Sequence, residues 1–193
     1  MSLTPQQKAT LKAAILAAGG DITAAYNAGA SGQVADLCNA PTNPVVRVWR
    51  TDTPSGDILD AIDWTRYTPN TVPSGADTPA VAALFLNRAM LIQTKQMNLQ
   101  TMTRREAIDC SKAGARNGLS DAVVNIPAGN NGALVSAGGS NPDQWGNVAA
   151  VCQRTATFAE AALKAAQDAT TNGQTASRMV FEGQITTADI DSL

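Results

Sequence analysis

"TPAVAALFLNRAMLIQTKQMNLQTM", residues 78–102, decides how this chain folds. Thr78 followed by Pro79 opens a helix, because proline's fixed φ suits the first turn and its missing N–H is not needed there. Val81, Leu84, Phe85, Leu91, Ile92, Leu99 and Met102 then recur at helical spacing, and within that stripe only Lys95 is charged. Uninterrupted, such a helix spans on the order of 36 Å at ~1.5 Å per residue. A rod of that length sets the long dimension of a small protein, and the flanking segments are what packs along it.

Toward the C-terminus, Thr103-Arg104-Arg105-Glu106 has the spacing of a capping box and predicts a second long helix ending before Pro127. Ile108, Ala115, Leu119, Val123 and Ile126 would line it, with Gly114 and Gly118 admitting a close neighbour. Residues 127–141, "PAGNNGALVSAGGSN", form a flexible loop. Its glycines match neither GxGxxG nor GxxxxGK[ST], which argues against a nucleotide site; a contact arm and a loose connection both remain open. Asn141-Pro142 then starts a third long helix, with Trp145, Val148, Cys152, Ala159, Leu163 and Ala166 facing one way.

Toward the N-terminus, Thr4-Pro5-Gln6-Gln7 is a capping box with proline at the first helical position, and Gly19-Gly20 ends its helix. Its stripe is Leu11, Ala14, Ile15 and Ala18. Short helices follow near 21–27 and 31–39, the latter with Val34, Leu37 and Cys38 on one face. "VVRVWR", 45–50, is β-branched and aromatic enough for a strand, and Ser55 caps another short helix. "TTNGQTAS", 170–177, reads as a hinge before a second strand at 178–184, and Thr186-Thr187-Ala188-Asp189 begins a last short turn. The two strands would pair as a small ribbon, since a lone strand leaves its backbone polar groups unpaired. The expected fold is mainly α: a bundle of three long and several short helices with a two-stranded β element. The expected organisation is one domain over 1–193 with a C-terminal extension at 170–193.

Composition narrows the function. Among 193 residues are three Phe, three Trp and two Tyr, and much of the apolar share is alanine, which buries little area. A thin core is a mild argument for further burial against other subunits, and a small-residue helical bundle stable alone fits equally well. Fourteen basic and sixteen acidic residues give a net charge of −2 with no long run of either sign, so the basic stripe of a tight nucleic-acid binder is missing. With no histidine in the chain, Ser-His-Asp and Cys-His catalysis and histidine metal ligation are excluded. Cys38, Cys110 and Cys152 suit neither a CxxC zinc site nor a disulfide framework, and read as small buried apolar residues, unpaired and metal-free. The N-terminus lacks the regions of a signal peptide, and the longest apolar run, 80–86, is too short for a membrane span. A soluble protein made in a reducing cytoplasm is expected, without cofactor.

Residues 48–69, "VWRTDTPSGDILDAIDWTRYTP", are unlike their surroundings. Asp57, Asp60 and Asp63 recur every third residue, so on a helix they form a broad acidic face while Ile58, Leu59 and Ile62 pack elsewhere. Asp57 also lies in the first turn, where a carboxylate favours the positive end of the helix dipole. A solvated acidic face explains the row better than catalysis does. Trp49, Trp64 and Tyr67 offer large rigid contact area, and Arg47, Arg50 and Arg66 offer forked donors. These residue types are enriched at interface hot spots, so the segment reads as a docking surface whose aspartates meet arginines of a neighbouring subunit. A local core role for Trp49 fits equally well.

The order of features resembles small virion proteins of tailed bacteriophages associated with the head-to-tail connector. It joins a capped N-terminal helix, "PVVRVWRTDTPSGDILDAIDWTRYTP", an alanine-rich helical middle and a closing "ASRMVFEGQITTADI". The likeness extends over most of the chain and is specific only at 48–69 and 179–190. It implies a ring-forming adaptor in the virion, made in the host cytoplasm and docked between the portal protein and tail or nozzle proteins. Double-stranded DNA would pass through without sequence-specific binding, and no membrane is involved. The resemblance implies no catalytic residue, and the chain is not expected to be an enzyme. Two other classes are a phage-encoded enzyme, such as a cell-wall hydrolase using paired carboxylates, and a helical scaffold or regulatory binding protein. Glu106, Glu160 and Glu182, its only glutamates, each read as a cap or a surface charge, which disfavours the hydrolase.

Overall fold

A computed structural model of the protein describes residues 3–67, 78–126, 143–163, 168–177 and 181–193. They are mainly helical with small sheets. The glycine-rich 127–141 segment, the start of the third predicted helix and the first part of the predicted strand at 178–184 lie outside them.

In chain order the elements are α1 (Pro5–Ala18), α2 (Gly20–Asn27), α3 (Ser31–Asn39), β1 (Arg47–Trp49), β2 (Thr53–Pro54) and α4 (Ser55–Asp60). A 3-10 turn (Trp64–Tyr67) precedes α5 (Pro79–Met102), β3 (Ala107–Ile108) and α6 (Ala113–Val123). Then come α7 (Trp145–Val151), β4 (Gln153–Thr155), α8 (Phe158–Ala162), β5 (Asp168–Thr171), β6 (Gln174–Ser177) and α9 (Thr187–Asp191). Local chemistry accounts for many of the boundaries. The Thr4 hydroxyl accepts from the Gln7 N–H at 3.2 Å while the Gln7 side chain accepts from the Thr4 N–H at 2.9 Å. Gly19, at φ 66°, takes the left-handed backbone that ends α1.

The chain divides into two compact units. The first comprises 1–49, 153–169 and 175–193, and the second 50–152 and 170–174. In the first unit α3 packs against α2, α8 and α9, and α1 against α2 and α8. The core gathers Leu11, Ile15, Ile22, Val34, Cys38, Ala159, Phe181 and Ile185. Asn39 pins the C-terminal segment: its amide donates to the Ile185 carbonyl at 2.9 Å and its oxygen accepts from the Ile185 N–H at 2.8 Å. In the second unit α5 packs along α6, α6 against α7, and α4 against α7. Lys95, the charge in the α5 stripe, donates through Nζ to the Asp121 carbonyl at 2.5 Å, near the C-terminus of α6, where cations are favoured. Gly118 packs closely: a Cβ there would stand 2.8 Å from Sδ of the flexible Met102 side chain, which would have to shift.

Four expectations need correction. Thr103–Glu106 does not cap a helix; Ala107–Ile108 is a strand paired with Thr53–Pro54, and α6 starts only at Ala113. The predicted third helix is broken at Gln153–Thr155, which pairs antiparallel with β1 through Arg47↔Thr155 and Trp49↔Gln153. Ser55 is not an N-cap; it is the first residue of α4, and its hydroxyl donates to the Arg105 carbonyl at 2.5 Å. Finally, β1 is not half of a ribbon with 181–184, the described part of the predicted strand. Phe181–Gln184 is not strand, and β1 lies between β4 and β6 in a sheet of order β4-β1-β6-β5. Its parallel contact is Val48↔Ser177. The segment read as a hinge is thus a hairpin, turning at Asn172 (φ 45°) and Gly173 (φ 79°).

Candidate functional site

The eight residues predicted to dock fall into two groups, and the boundary between the units lies between Trp49 and Arg50. Trp49 is wholly buried in the first unit, its indole N–H donating to the Ala169 carbonyl at 2.9 Å. Tyr67, 1% exposed, donates its hydroxyl to the Ala122 carbonyl at 2.8 Å in the second unit. That carbonyl belongs to the last turn of α6, so a side chain distant in sequence satisfies a helix-end acceptor. Neither ring offers contact area to a partner. Both are core, which corrects the reading of Tyr67 and decides the alternative left open for Trp49. Burial also pushes the Tyr67 phenol up to about 12.

The other six lie at the surface of the second unit. α4 turns Ile58 inward and leaves Asp57 and Asp60 exposed, as its three-residue spacing predicts. Arg50 reaches Asp52 and Asp57, each at 3.7 Å, so its partners are in its own chain. Asp63 organises the 3-10 turn: Oδ1 accepts from the Thr65 N–H at 3.1 Å and hydroxyl at 2.6 Å, and Oδ2 from Arg66 Nε at 2.9 Å. Hydrogen bonds from Thr65 first, then Arg66, hold the Asp63 carboxyl below the usual carboxylate range. Trp64 is 42% exposed and tilts against Tyr67 with ring centroids 5.5 Å apart. The segment therefore presents one half-exposed tryptophan ringed by charges whose partners are largely local.

A second surface was not singled out in the sequence. On α5, Ile92 and Leu99 face the core, as predicted, and Arg88 is buried with them. Leu86, Met90 and Met97 are 59%, 65% and 58% exposed. They lie within about 40° of one another around the helix and on average about 160° from Arg88, Ile92 and Leu99. Leu84 and Leu91, counted in the core stripe from the sequence, are also partly exposed, at 41% and 43%. Arg88 and Lys95 are the only charged residues in α5; one is buried and the other is bonded to Asp121. The exposed side of this 24-residue helix thus carries no free charge. The signal was present in the sequence as Leu86, Met90 and Met97 at i, i+4 and i+11, hidden because a helix with apolar residues all round shows no single best face.

A polar cleft of about 560 Å³ also opens in the second unit, between Asn117, Ser120, Asp121, Asn125, Asp143 and Asn172. Asp143 is engaged there, accepting from the Trp145 N–H at 2.7 Å and the Asn172 amide at 3.3 Å. Among the described residues no three His, Cys, Asp or Glu side chains are grouped to hold a metal ion, and no helix is long and apolar enough to cross a membrane. Glu160, read as a cap or surface charge, closes a capping box from the third position of α8 and is buried. Compared with known proteins, the chain matches no protein-family model, no curated protein and no solved structure.

Proposed function

We propose that this chain is a structural protein that works as an assembly of copies of itself, with the exposed side of α5 as the contact between copies. The supporting observation is the combination of Leu86, Met90 and Met97 at the surface with no free charge along the helix. The three leave on the order of 350 Å² of apolar side chain in water on one side of the helix, within the range of patches that mark interaction sites. Leu84 and Leu91 are exposed on another side, more than about 100° around. A stable interface of ~800 Å² per partner therefore takes in surface beside the helix as well. A neutral face suits another neutral face, since a charged partner would lose hydration against it without a counter-charge. A second copy of the chain supplies such a face by construction. The bundle of helices in this reading is completed between chains rather than within one.

The more specific reading, a ring-forming head-to-tail adaptor between a portal and tail proteins in a tailed-phage virion, rests on the resemblance at 48–69 and 179–190. In that setting Trp64, with Arg50, Arg66 and the aspartates, would form a rim contact, and DNA would pass without sequence-specific binding.

The experiment is sedimentation of the purified protein and of Met90→Lys/Met97→Lys. The wild type should form multimers at micromolar concentration. The double variant should run as a monomer with helical circular dichroism unchanged, because both side chains are exposed. A wild-type monomer at all concentrations, or a variant that assembles as well as the wild type, overturns the proposal. Arg50→Ala/Arg66→Ala should leave self-assembly intact and weaken only attachment to other virion proteins.

A further inference from the structure

The exposed side of α5 carries a finer pattern than its three large apolar residues. Ala83, Leu86, Met90, Gln93, Met97 and Gln100 follow one another at alternating steps of three and four, and every one of them is exposed. That alternation is the heptad seam of a coiled coil, with Ala83, Met90 and Met97 at the a positions and Leu86, Gln93 and Gln100 at the d positions. The seam runs about 26 Å along the helix. Arg88, Ile92 and Leu99 are buried on the opposite side, so a partner helix lies along the seam without displacing α6.

The composition of the seam selects how that partner is oriented. Charges at the flanking e and g positions commonly decide between parallel and antiparallel pairing. Here those positions hold Asn87, Thr94 and Thr101 on one flank and Ala82, Ala89 and Gln96 on the other, none of them charged. The choice falls to the two glutamines within the seam. Two parallel copies in register set Gln93 against Gln93 and Gln100 against Gln100, and each amide then has both a donor and an acceptor facing it. Met90, Met97 and Leu86 likewise meet their own counterparts. Antiparallel pairing over the whole seam sets Gln93 against Met90 and Gln100 against Ala83, which leaves four amides per pair facing apolar side chains. An amide without a partner in a contact forfeits its hydration. Parallel pairing brings like helix ends together, but that repulsion is screened by salt at exposed ends.

Resting on the self-assembly reading, we infer that α5 pairs with α5 of a second copy as a parallel, in-register coiled coil, with Gln93 and Gln100 fixing the orientation. The contact is two-fold symmetric about an axis running along the helices, so each seam residue meets its own equivalent. The glutamines weaken the contact relative to an all-apolar seam and make it specific.

The test is disulfide formation between full-length chains bearing Leu86→Cys or Met97→Cys, two exposed positions toward opposite ends of the seam. Wild type should give no interchain link, because Cys38, Cys110 and Cys152 are buried. Each single variant should link to itself, and a mixture of the two should give no 86–97 link by mass. In an antiparallel pair, position 86 stands about 16 Å along the axis from its counterpart, beyond the ~7 Å that a disulfide spans. Only the mixture would link there, through 86 and 97. That result overturns the inference and leaves self-assembly standing, as does assembly by sedimentation with no link of either kind. A wild type that stays monomeric overturns both. Adding Gln93→Leu/Gln100→Leu should tighten association about tenfold and let the mixed link appear. Links that remain wholly self-to-self in that background overturn the role given to the glutamines.

Discussion

Replacing Glu160 with alanine removes a side chain whose two oxygens carry three hydrogen bonds in the first unit. Oε2 accepts from the Thr157 N–H at 2.9 Å and Arg154 Nη1 at 2.7 Å, while Oε1 accepts from Arg154 Nη2 at 2.8 Å. The Thr157 contact is half of a reciprocal cap on α8, worth about 1 kcal/mol. The forked pair with Arg154 is charge-assisted at a position only 4% exposed, worth about 1.5–3 kcal/mol. Arg154 is one-third exposed and has Glu182 at 3.7 Å, so its charge is rehydrated in the variant and adds little further penalty. Glu160→Ala should therefore cost about 3 kcal/mol, read as a lower urea midpoint by far-UV circular dichroism with an unchanged m-value. Glu160→Gln, which keeps an acceptor for Thr157, should lose about half of that.

The pH dependence follows from the same contacts. Burial pushes the Glu160 carboxyl up, but the hydrogen bonds from Arg154 and Thr157 outweigh it and hold the group below its usual 4.5. A carboxyl that is more acidic folded than unfolded contributes stability above the unfolded pKa and loses it as the pH falls through the folded one. The gap between wild type and Glu160→Ala should be complete at neutral pH and shrink below about pH 4.5. A gap under about 0.5 kcal/mol at pH 7, or one that persists undiminished in acid, refutes the reasoning.

Two more outcomes follow from the second unit. Tyr67→Phe leaves the Ala122 carbonyl without its 2.8 Å donor and should lower stability by about 1–2 kcal/mol in urea melts. With the phenol pushed up to about 12, the wild type should also lose stability from about pH 10 upward as the unfolded tyrosine ionises, an effect the phenylalanine variant lacks. Gly118→Ala should gain little from helix propensity, because Met102 Sδ must move from 2.8 Å. In a Met102→Ala background the same change should stabilise by about 1 kcal/mol, and a double-mutant cycle with no coupling would count against the packing argument.

Elements whose boundaries depend on neighbours in sequence were legible. The caps at Thr4 and Thr186, the glycine stop at Gly19, and the proline start of α5 each involve residues within four positions, so one chain segment holds all the information. Asn172-Gly173 was legible in the same way, since that dipeptide suits a turn with two positive φ angles, but it was read as a hinge. The exposed Asp57 and Asp60 followed from helical spacing alone.

Other features depended on partners far away in the chain. A capping box at 103–106 is worth only about 1 kcal/mol, and the pairing of 107–108 with Thr53–Pro54, with Ser55 bonded to the Arg105 and Glu106 carbonyls, overrides it. Gln153–Thr155 leaves the predicted helix because Arg47–Trp49 needs a strand beside it. The burial of Trp49 and Tyr67 depends on acceptors 120 and 55 positions away, and residue type alone does not tell a buried aromatic from a docking one. Periodicity and capping are local free energies written into consecutive residues. Strand partners and buried hydrogen bonds are pairings between distant ones, and only the folded chain selects them.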